Sequence, residues 1–194
     1  MGGASFYFIG IEPPSNLVRV LNDIKRGLFQ DFGIVSAIAL DPFIPLAVRS
    51  APSVLPQVGS LPRIGTLATG DWQVIDGSLF LSVGPIGQLL DLADSVVEGT
   101  FETAIRLDAG REVANSPIPV HMGIFMANLM EAEREPGIDA VMESIGVPPV
   151  LTWKGSSLFS RQLRCHSVSS WWNDCSTEDL WTLRLRKEIR EPGL

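Results

Sequence analysis

The sequence predicts an α+β fold in which antiparallel strands and amphipathic helices alternate. Hydrophobic periodicity switches between two and about 3.6 residues, in the order strand, helix, strand, strands, helix, strand, helix, strands. Asp76-Gly77 lies between two apolar runs and is a hairpin signal, which favours antiparallel pairing over a doubly wound parallel sheet. The composition, 45% hydrophobic and 19% charged over 194 residues, indicates one globular domain, or one compact pair of lobes, spanning residues 1–194.

The first two elements follow from the N-terminal pattern. "SFYFIGIE" alternates and is rich in aromatic and β-branched residues, so it predicts a strand. Pro14 and Ser15 suit a helix start, and Gly33 suits its end. Apolar residues at helical spacing connect the two: Leu17, Val20, Leu21, Ile24 and Leu28.

The middle of the chain predicts strands interrupted by turns. "IVSAIALDPFIPLAV" is apolar, but Pro42 and Pro45 restrict it to an edge strand or an irregular strand. "RIGTLATGDWQVIDGSLFLSVG" predicts two or three short strands, separated at Gly70-Asp71 and at Asp76-Gly77. A helix follows, with Pro85 at its start and Gly99 past its end.

The two halves of the chain share a predicted order of elements, a strand, a helix and then an apolar strand that is preceded by prolines. "SPIPVHMGIFMANL" predicts an apolar strand that is preceded by prolines, and "EAEREPGIDAVMESIG" predicts a short amphipathic helix. Two long strands, in "PPVLTWKGSSLFSRQLRCHSV" and "DLWTLRLRKEI", close the fold around a polar loop that carries Trp171 and Trp172.

Charge and composition exclude several classes of function. The net charge of −7 argues against DNA binding and against long RNA, which require a basic face, but a small phosphate ligand needs only a local cluster. No apolar run approaches the roughly 20 residues of a membrane span. Cys165 and Cys175 do not have metal-ligand spacing, and they could pair as a disulfide if the protein were exported. We therefore expect a soluble cytoplasmic protein with free thiols, without a metal, a cofactor or a membrane partner.

Three segments follow a known order and spacing: "FYFIGIEPPSNLVRVLNDIKRGL", "WQVIDGSLFLSVGPIGQLLDLADSVV" and "PIPVHMGIFMA". They resemble, in turn, the first strand and helix, the middle hairpin with the second helix, and the second motif of the 2H phosphoesterases, the LigT-like or 2′-5′ RNA ligase-like group. The resemblance covers nearly the whole chain. It implies two related lobes whose antiparallel sheets face a central cleft, with one His-x-Thr/Ser motif in each lobe.

The motif positions depart from the family pattern. His121 occupies the second histidine position, but Gly123 stands at its Thr/Ser position. In the first motif, Phe43 stands where the histidine is expected and Pro45 where the Thr/Ser is expected. The distance of 78 positions from Phe43 to His121 suits the family.

These departures weigh against the family's chemistry. Opening a 2′,3′-cyclic phosphate requires one imidazole as base and a second as acid, and each such group contributes about 10²–10⁴-fold. Hydroxyl donors that stabilise the developing charge contribute about 10²–10³-fold each. Phe43 cannot transfer a proton, and Pro45 has no donor. The standard reaction is therefore not expected.

Other residues are candidates for a ligand site. His166 is a possible second imidazole, although an ordinary strand or loop residue is the alternative. Arg161 and Arg164 are candidates for bidentate phosphate binding, and solvated strand residues are their alternative. Trp171 and Trp172 either stack a base or cover the core or a dimer contact.

Three hypotheses for the function follow. The first is a non-catalytic LigT-like protein whose cleft binds a nucleotide or an RNA-end phosphate near His121, with Phe43 and Gly123 lining the cleft. The second is a phosphodiesterase for 2′,3′-cyclic phosphates with a non-standard site that uses His121 as its catalytic residue. The third is a structural or protein-interaction module whose cleft is filled by Phe43 and other apolar side chains.

Overall fold

The protein folds into two antiparallel β-sheets with helices packed around them. The computed structural model describes residues 4–49, 61–97, 105–106, 123–131, 137–167 and 169–185. The strands are β1 (Ala4–Glu12), β2 (Ile44–Arg49), β3 (Thr66–Ile75), β4 (Ser78–Gly84), β5 (Ile105–Arg106), β6 (Gly123–Asn128), β7 (Thr152–Lys154), β8 (Ser157–Cys165) and β9 (Cys175–Arg184). The helices are α1 (Ser15–Phe32), α2 (Ser36–Ala39), α3 (Ile86–Val97) and α4 (Ile138–Ile145).

Both sheets are antiparallel throughout the described residues. One sheet has the strand order β5-β2-β1-β8-β9, and the other has the order β6-β4-β3-β7. The pairing confirms the predicted α+β class and the absence of a doubly wound arrangement within this part of the chain. Within the same residues, no helix has the length and hydrophobicity required to span a membrane.

The predicted N-terminal strand and helix are confirmed. α1 begins at Ser15 after Pro14, whose extended backbone precedes the first turn. It ends before Gly33, which adopts a left-handed φ of 72° and donates its backbone N–H to the carbonyl of Phe29 at 2.9 Å. Glycine favours this conformation because it has no Cβ, so the stop predicted from the sequence has its expected cause.

The segment after α1 differs from the prediction in its first part, which forms the short helix α2 rather than extended chain. Of the two alternatives for β2, the irregular strand is confirmed and the edge strand is wrong, because β2 lies between β5 and β1. Pro45 is tolerated there because β5 pairs only with Ala47 and Val48. The pairing with β1 is also irregular next to Gly10, the partner of Pro45. The missing N–H of proline therefore interrupts no regular ladder.

The predicted hairpin is confirmed at Asp76-Gly77, where both residues have positive φ values of 47° and 73°. That combination is the one a tight two-residue hairpin turn requires. Gly70-Asp71 does not separate two strands. It forms an irregularity inside the single strand β3, between Thr69 and Trp72.

The segment predicted as the first of the two long closing strands forms two strands, β7 and β8, which belong to different sheets. β7 pairs with β3, whereas β8 pairs with β1 and β9. Gly155 lies between β7 and β8 with φ at 75°, which allows the chain to turn from one sheet to the other. β9 also begins earlier than predicted, at Cys175. Its residues from Ser176 to Leu180 are all exposed, so this part of the strand lacks the apolar pattern that would mark its start.

Gly10 lies in the closest packing around β2, and its replacement tests that packing. A Cβ at Gly10 would lie 2.9 Å from the carbonyl oxygen of Ile44, 2.9 Å from the Phe43 ring and 3.0 Å from the Phe159 ring. We expect Gly10→Ala to lower the free energy of unfolding by about 1–3 kcal/mol, because a backbone atom cannot move aside cheaply. Urea denaturation measures this change.

Gly27→Ala is the matched control for Gly10→Ala. A Cβ at Gly27 meets no atom within 4 Å, and the residue lies inside α1. Alanine is the better helix former, so the free energy of unfolding of this variant should be about 0.5–1 kcal/mol higher than that of the wild type. If both variants shift the unfolding midpoint in the same direction, the packing described around Gly10 is incorrect.

Candidate functional site

Phe43 belongs to the hydrophobic core. Its side chain is 3% exposed, and its ring makes edge contacts with Phe8 at 5.9 Å and with Phe159 at 5.6 Å between centroids. Its carbonyl accepts a hydrogen bond of 3.3 Å from the backbone N–H of Phe125 in β6. The first motif position therefore joins the two sheets, with its ring packed among aromatic side chains.

The second motif region is described from Gly123 onward, and His121 lies outside the described residues. Gly123 starts β6 opposite Ser82 of β4. A Cβ at Gly123 would lie 2.7 Å from the carbonyl oxygen of Leu81. That distance is too short for any side chain without a shift of the backbone. The position where a Thr or Ser was expected therefore has no room for one.

Lys25 is a buried charged residue that the sequence analysis did not single out. It is 2% exposed, and its Nζ donates a hydrogen bond of 2.7 Å to the carbonyl of Leu40. The Phe125 ring centroid lies 5.9 Å from Nζ. Burial lowers the pKa of Lys25 from 10.5 to about 7, although the carboxylate of Asp41 acts in the opposite direction.

A signal for Lys25 was present in the sequence. α1 buries Leu17, Leu21, Lys25 and Leu28. Lys25 thus continues a row of apolar positions at intervals of three and four residues, which lie on one face of a helix. A lysine in such a row is either buried or extends its ammonium to the surface. In the structure the Lys25 side chain is buried.

Arg161 is held on one face of β8. Its guanidinium carbon lies 4.7 Å from the Phe159 ring centroid, and its Nε donates to Asp179 at 2.6 Å. The side chain is 16% exposed. It lines a cavity of about 300 Å³ together with Asp41, Thr177 and Asp179. Two carboxylates face one guanidinium there, so the charge balance of this cavity disfavours a phosphate.

Arg164 projects from the opposite face of β8, because it lies three positions after Arg161 and side chains alternate along a strand. Its Nη2 donates to Gln162 Oε1 at 3.0 Å and to Glu178 at 3.1 Å. The predicted convergence of both arginines on one phosphate does not fit this geometry. Arg164 is 58% exposed.

A hydrogen-bonded group of side chains surrounds Arg164. Gln162 is 8% exposed, and its Nε2 donates to Ser5 Oγ at 3.3 Å and to Tyr7 Oη at 3.2 Å. Both hydroxyls accept from the same amide, so their own protons remain to be donated elsewhere. No acceptor for them is present in the described part of the chain. We name Ser5, Tyr7, Gln162 and Arg164 the donor patch.

The remaining predicted residues lie near the end of the β8–β9 hairpin. His166 follows β8 and is exposed, with Nε2 4.0 Å from a carboxylate oxygen of Asp174. Trp171 is 1% exposed, and its ring lies 6.2 Å from Phe125 and 5.8 Å from Trp172. Among the described residues, its indole N–H has no hydrogen-bond partner. This packing fits the expectation that the two tryptophans cover the core.

The described residues contain no group of three or more His, Cys, Asp or Glu side chains placed to hold a metal ion. Comparison of the chain with protein-family models, with curated proteins and with solved structures finds no match.

Proposed function

We propose that the protein is a non-catalytic LigT-like protein that binds a phosphate-bearing ligand, a nucleotide or an RNA end, at the donor patch. The observation that carries this proposal is the buried amide of Gln162, which holds the hydroxyls of Ser5 and Tyr7 beside the guanidinium of Arg164, where the described residues offer no acceptor for the two hydroxyl protons. The LigT-like arrangement draws support from the two antiparallel sheets and from the contact of Phe43 with β6.

The donor patch matches the chemistry of a phosphate. Phosphate oxygens accept hydrogen bonds, and the patch offers the hydroxyls of Ser5 and Tyr7 and the remaining N–H groups of Arg164. Gln162 and Glu178 hold one terminal nitrogen of Arg164, so less rotational freedom is lost when a ligand binds. Arginine also pairs with phosphate oxygens through two parallel hydrogen bonds.

The motif positions support binding without hydrolysis. The ring of Phe43 is enclosed by Phe8 and Phe159, so no acid–base group occupies the first motif position. The tight approach of β4 to Gly123 leaves no room for a hydroxyl side chain at the second. Two donors and one proton-transfer group of the family's reaction are thus missing.

A binding measurement on a nucleoside 3′-monophosphate and a 2′,3′-cyclic monophosphate tests the proposal. We expect both to bind the wild-type protein in titration calorimetry and the cyclic compound to remain intact. Arg164→Gln should weaken binding about 10–100-fold, because a hydrogen bond to a charged group contributes about 1.5–3 kcal/mol. Tyr7→Phe, which removes one hydroxyl, should weaken it about 2–10-fold.

Arg161→Gln is the matched control, since it makes the same change on the other face of β8. Its binding constants should equal those of the wild type. Equal weakening in the two arginine variants, or no binding by the wild type, contradicts the donor patch as the site. Hydrolysis that disappears in His121→Ala would instead favour a phosphodiesterase with a non-standard site.

The burial of Phe43 favours a second candidate function, a structural or protein-interaction module. Apolar side chains fill the junction between the sheets at this position, including Phe8, Phe159 and Phe125. This candidate predicts a folded protein that binds neither nucleotide in the same titration. The two candidates are therefore separated by one experiment.

A further inference from the structure

Cys165 and Cys175 lie directly opposite each other in the β8–β9 hairpin. Cys165 is the last residue of β8 and Cys175 is the first residue of β9, and the two are Cα partners in the antiparallel register. Both thiols are free in this structure. They are the two cysteines of the sequence. The chain thus brings its entire thiol content to one cross-strand position.

The position has the dimensions of a disulfide. Directly opposed residues in antiparallel strands have Cα atoms about 4.5–5.5 Å apart, and natural disulfides join Cα atoms about 4.4–6.8 Å apart. Bridging the pair therefore does not require the strands to separate. The register next to the pair is regular, from Arg164–Ser176 to Arg161–Asp179.

We propose that Cys165 and Cys175 form a dithiol modification site, which a low-molecular-weight disulfide oxidises to an intramolecular cross-strand disulfide. The thiolate of one cysteine attacks the small disulfide, forms a mixed disulfide and releases one small thiolate. The thiolate of the other cysteine then attacks the protein sulfur and releases the second. The protein loses two protons and two electrons, and the small disulfide is reduced to two thiols.

The exposure of the two residues gives the order of these steps. Cys165 is 3% exposed, whereas Cys175 is half-buried. The small disulfide therefore meets Cys175 first, and Cys165 completes the bridge from inside. This order also favours the intramolecular product, because Cys165 is shielded from a second small molecule and already faces its partner.

The local electrostatics set the pH dependence of the reaction. Burial raises the pKa of the Cys165 thiol, and the neighbouring Cys175 adds to the rise. Burial also raises the pKa of the Cys175 thiol, and the carboxylate of Asp174 adds to it. Because the thiolate is the attacking form, oxidation should accelerate as pH increases through and above the ordinary thiol range.

A disulfide here would close the connection from His166 to Asp174. The contact of 4.0 Å between these two residues stands next to the cysteine pair, and the same connection carries the buried Trp171. Cross-linking removes conformational freedom mainly from the unfolded chain, so it stabilises the folded hairpin. The modification would therefore fix the tryptophan-bearing connection on the core. This inference does not depend on ligand binding at the donor patch.

Equilibration of the full chain in glutathione buffers tests the inference. After incubation in equal concentrations of reduced and oxidised glutathione, the free thiols are alkylated and the protein is analysed by mass spectrometry. We expect a monomer with no alkylated cysteine and with a peptide cross-linked between Cys165 and Cys175, which excess dithiothreitol reverses. The oxidised protein should melt roughly 5–10 °C above the reduced protein.

Single variants complete the test. Cys165→Ala should stop at the mixed disulfide of Cys175 with glutathione. Cys175→Ser should react far more slowly, because the remaining thiol, that of Cys165, is buried. Circular dichroism verifies that both variants fold. A wild-type product that retains two alkylatable thiols, carries glutathione or forms a dimer overturns the proposal. A melting temperature of the oxidised monomer below that of the reduced protein also overturns it.

Discussion

Replacing Phe43 by alanine is expected to lower the free energy of unfolding by about 3–5 kcal/mol. The ring is 3% exposed and lies between Phe8 and Phe159, so its removal leaves a cavity where the two sheets meet. A domain of this size has a total stability of about 5–15 kcal/mol, so the loss is a large fraction of it. Urea denaturation of the wild type and the variant measures the difference directly.

Phe29→Ala is the matched control for this variant. Phe29 is 41% exposed on α1, so the same truncation should cost less than about 1.5 kcal/mol. A similar loss for both variants would contradict the central position of Phe43. Phe43→His introduces the residue type that the resemblance implies at this position, but we expect instability rather than hydrolysis, because the imidazole would be buried among aromatic rings.

Lys25 is expected to make the stability of the protein increase with pH between about pH 7 and pH 10.5. In that range the folded protein holds Lys25 neutral and the unfolded chain holds it protonated, so the unfolded state binds more protons. Stability then rises by up to about 1.4 kcal/mol per pH unit. Below pH 7 both states are protonated, and the contribution of Lys25 no longer changes with pH.

The Lys25→Met variant isolates this effect from all other titrating groups. As pH rises from 7 to 10, the unfolding free energy of the wild type should increase relative to that of the variant, on the order of several kcal/mol. Lys154→Met, the same change at an exposed residue of β7, should show a constant difference. A constant difference for Lys25→Met as well would show that its amine is not held neutral by burial.

Local sequence patterns predicted the elements that depend on near neighbours. α1 is fixed by its apolar spacing and by Gly33, and the β3–β4 hairpin is fixed by Asp76-Gly77. These signals act within a few residues of the chain, so they are readable without knowledge of the fold. The start of β9 is not readable in the same way, because its residues from Ser176 to Leu180 are all exposed and impose no apolar pattern.

The resemblance to a family predicted motif positions but not what surrounds them. It identified Phe43 and Gly123 as departures, and the structure supplies a physical reason for each: aromatic packing around Phe43, and the carbonyl of Leu81 against Gly123. The residue types alone, not the resemblance, made Arg161 and Arg164 candidates for bidentate phosphate binding, with solvated strand residues as the alternative. Strand alternation places them on opposite faces and leaves Arg164 with Gln162.

The sequence by itself determined the α+β class and the turns, because these depend on local periodicity and on residue type. Only the tertiary structure decided that Lys25 is buried, that Gln162 holds Ser5 and Tyr7, and that Cys165 faces Cys175. Lys25 meets Leu40 across fifteen positions, and Gln162 meets Ser5 across more than a hundred and fifty. Contacts at such separations depend on how strands pair and helices pack, which no local pattern in one sequence specifies.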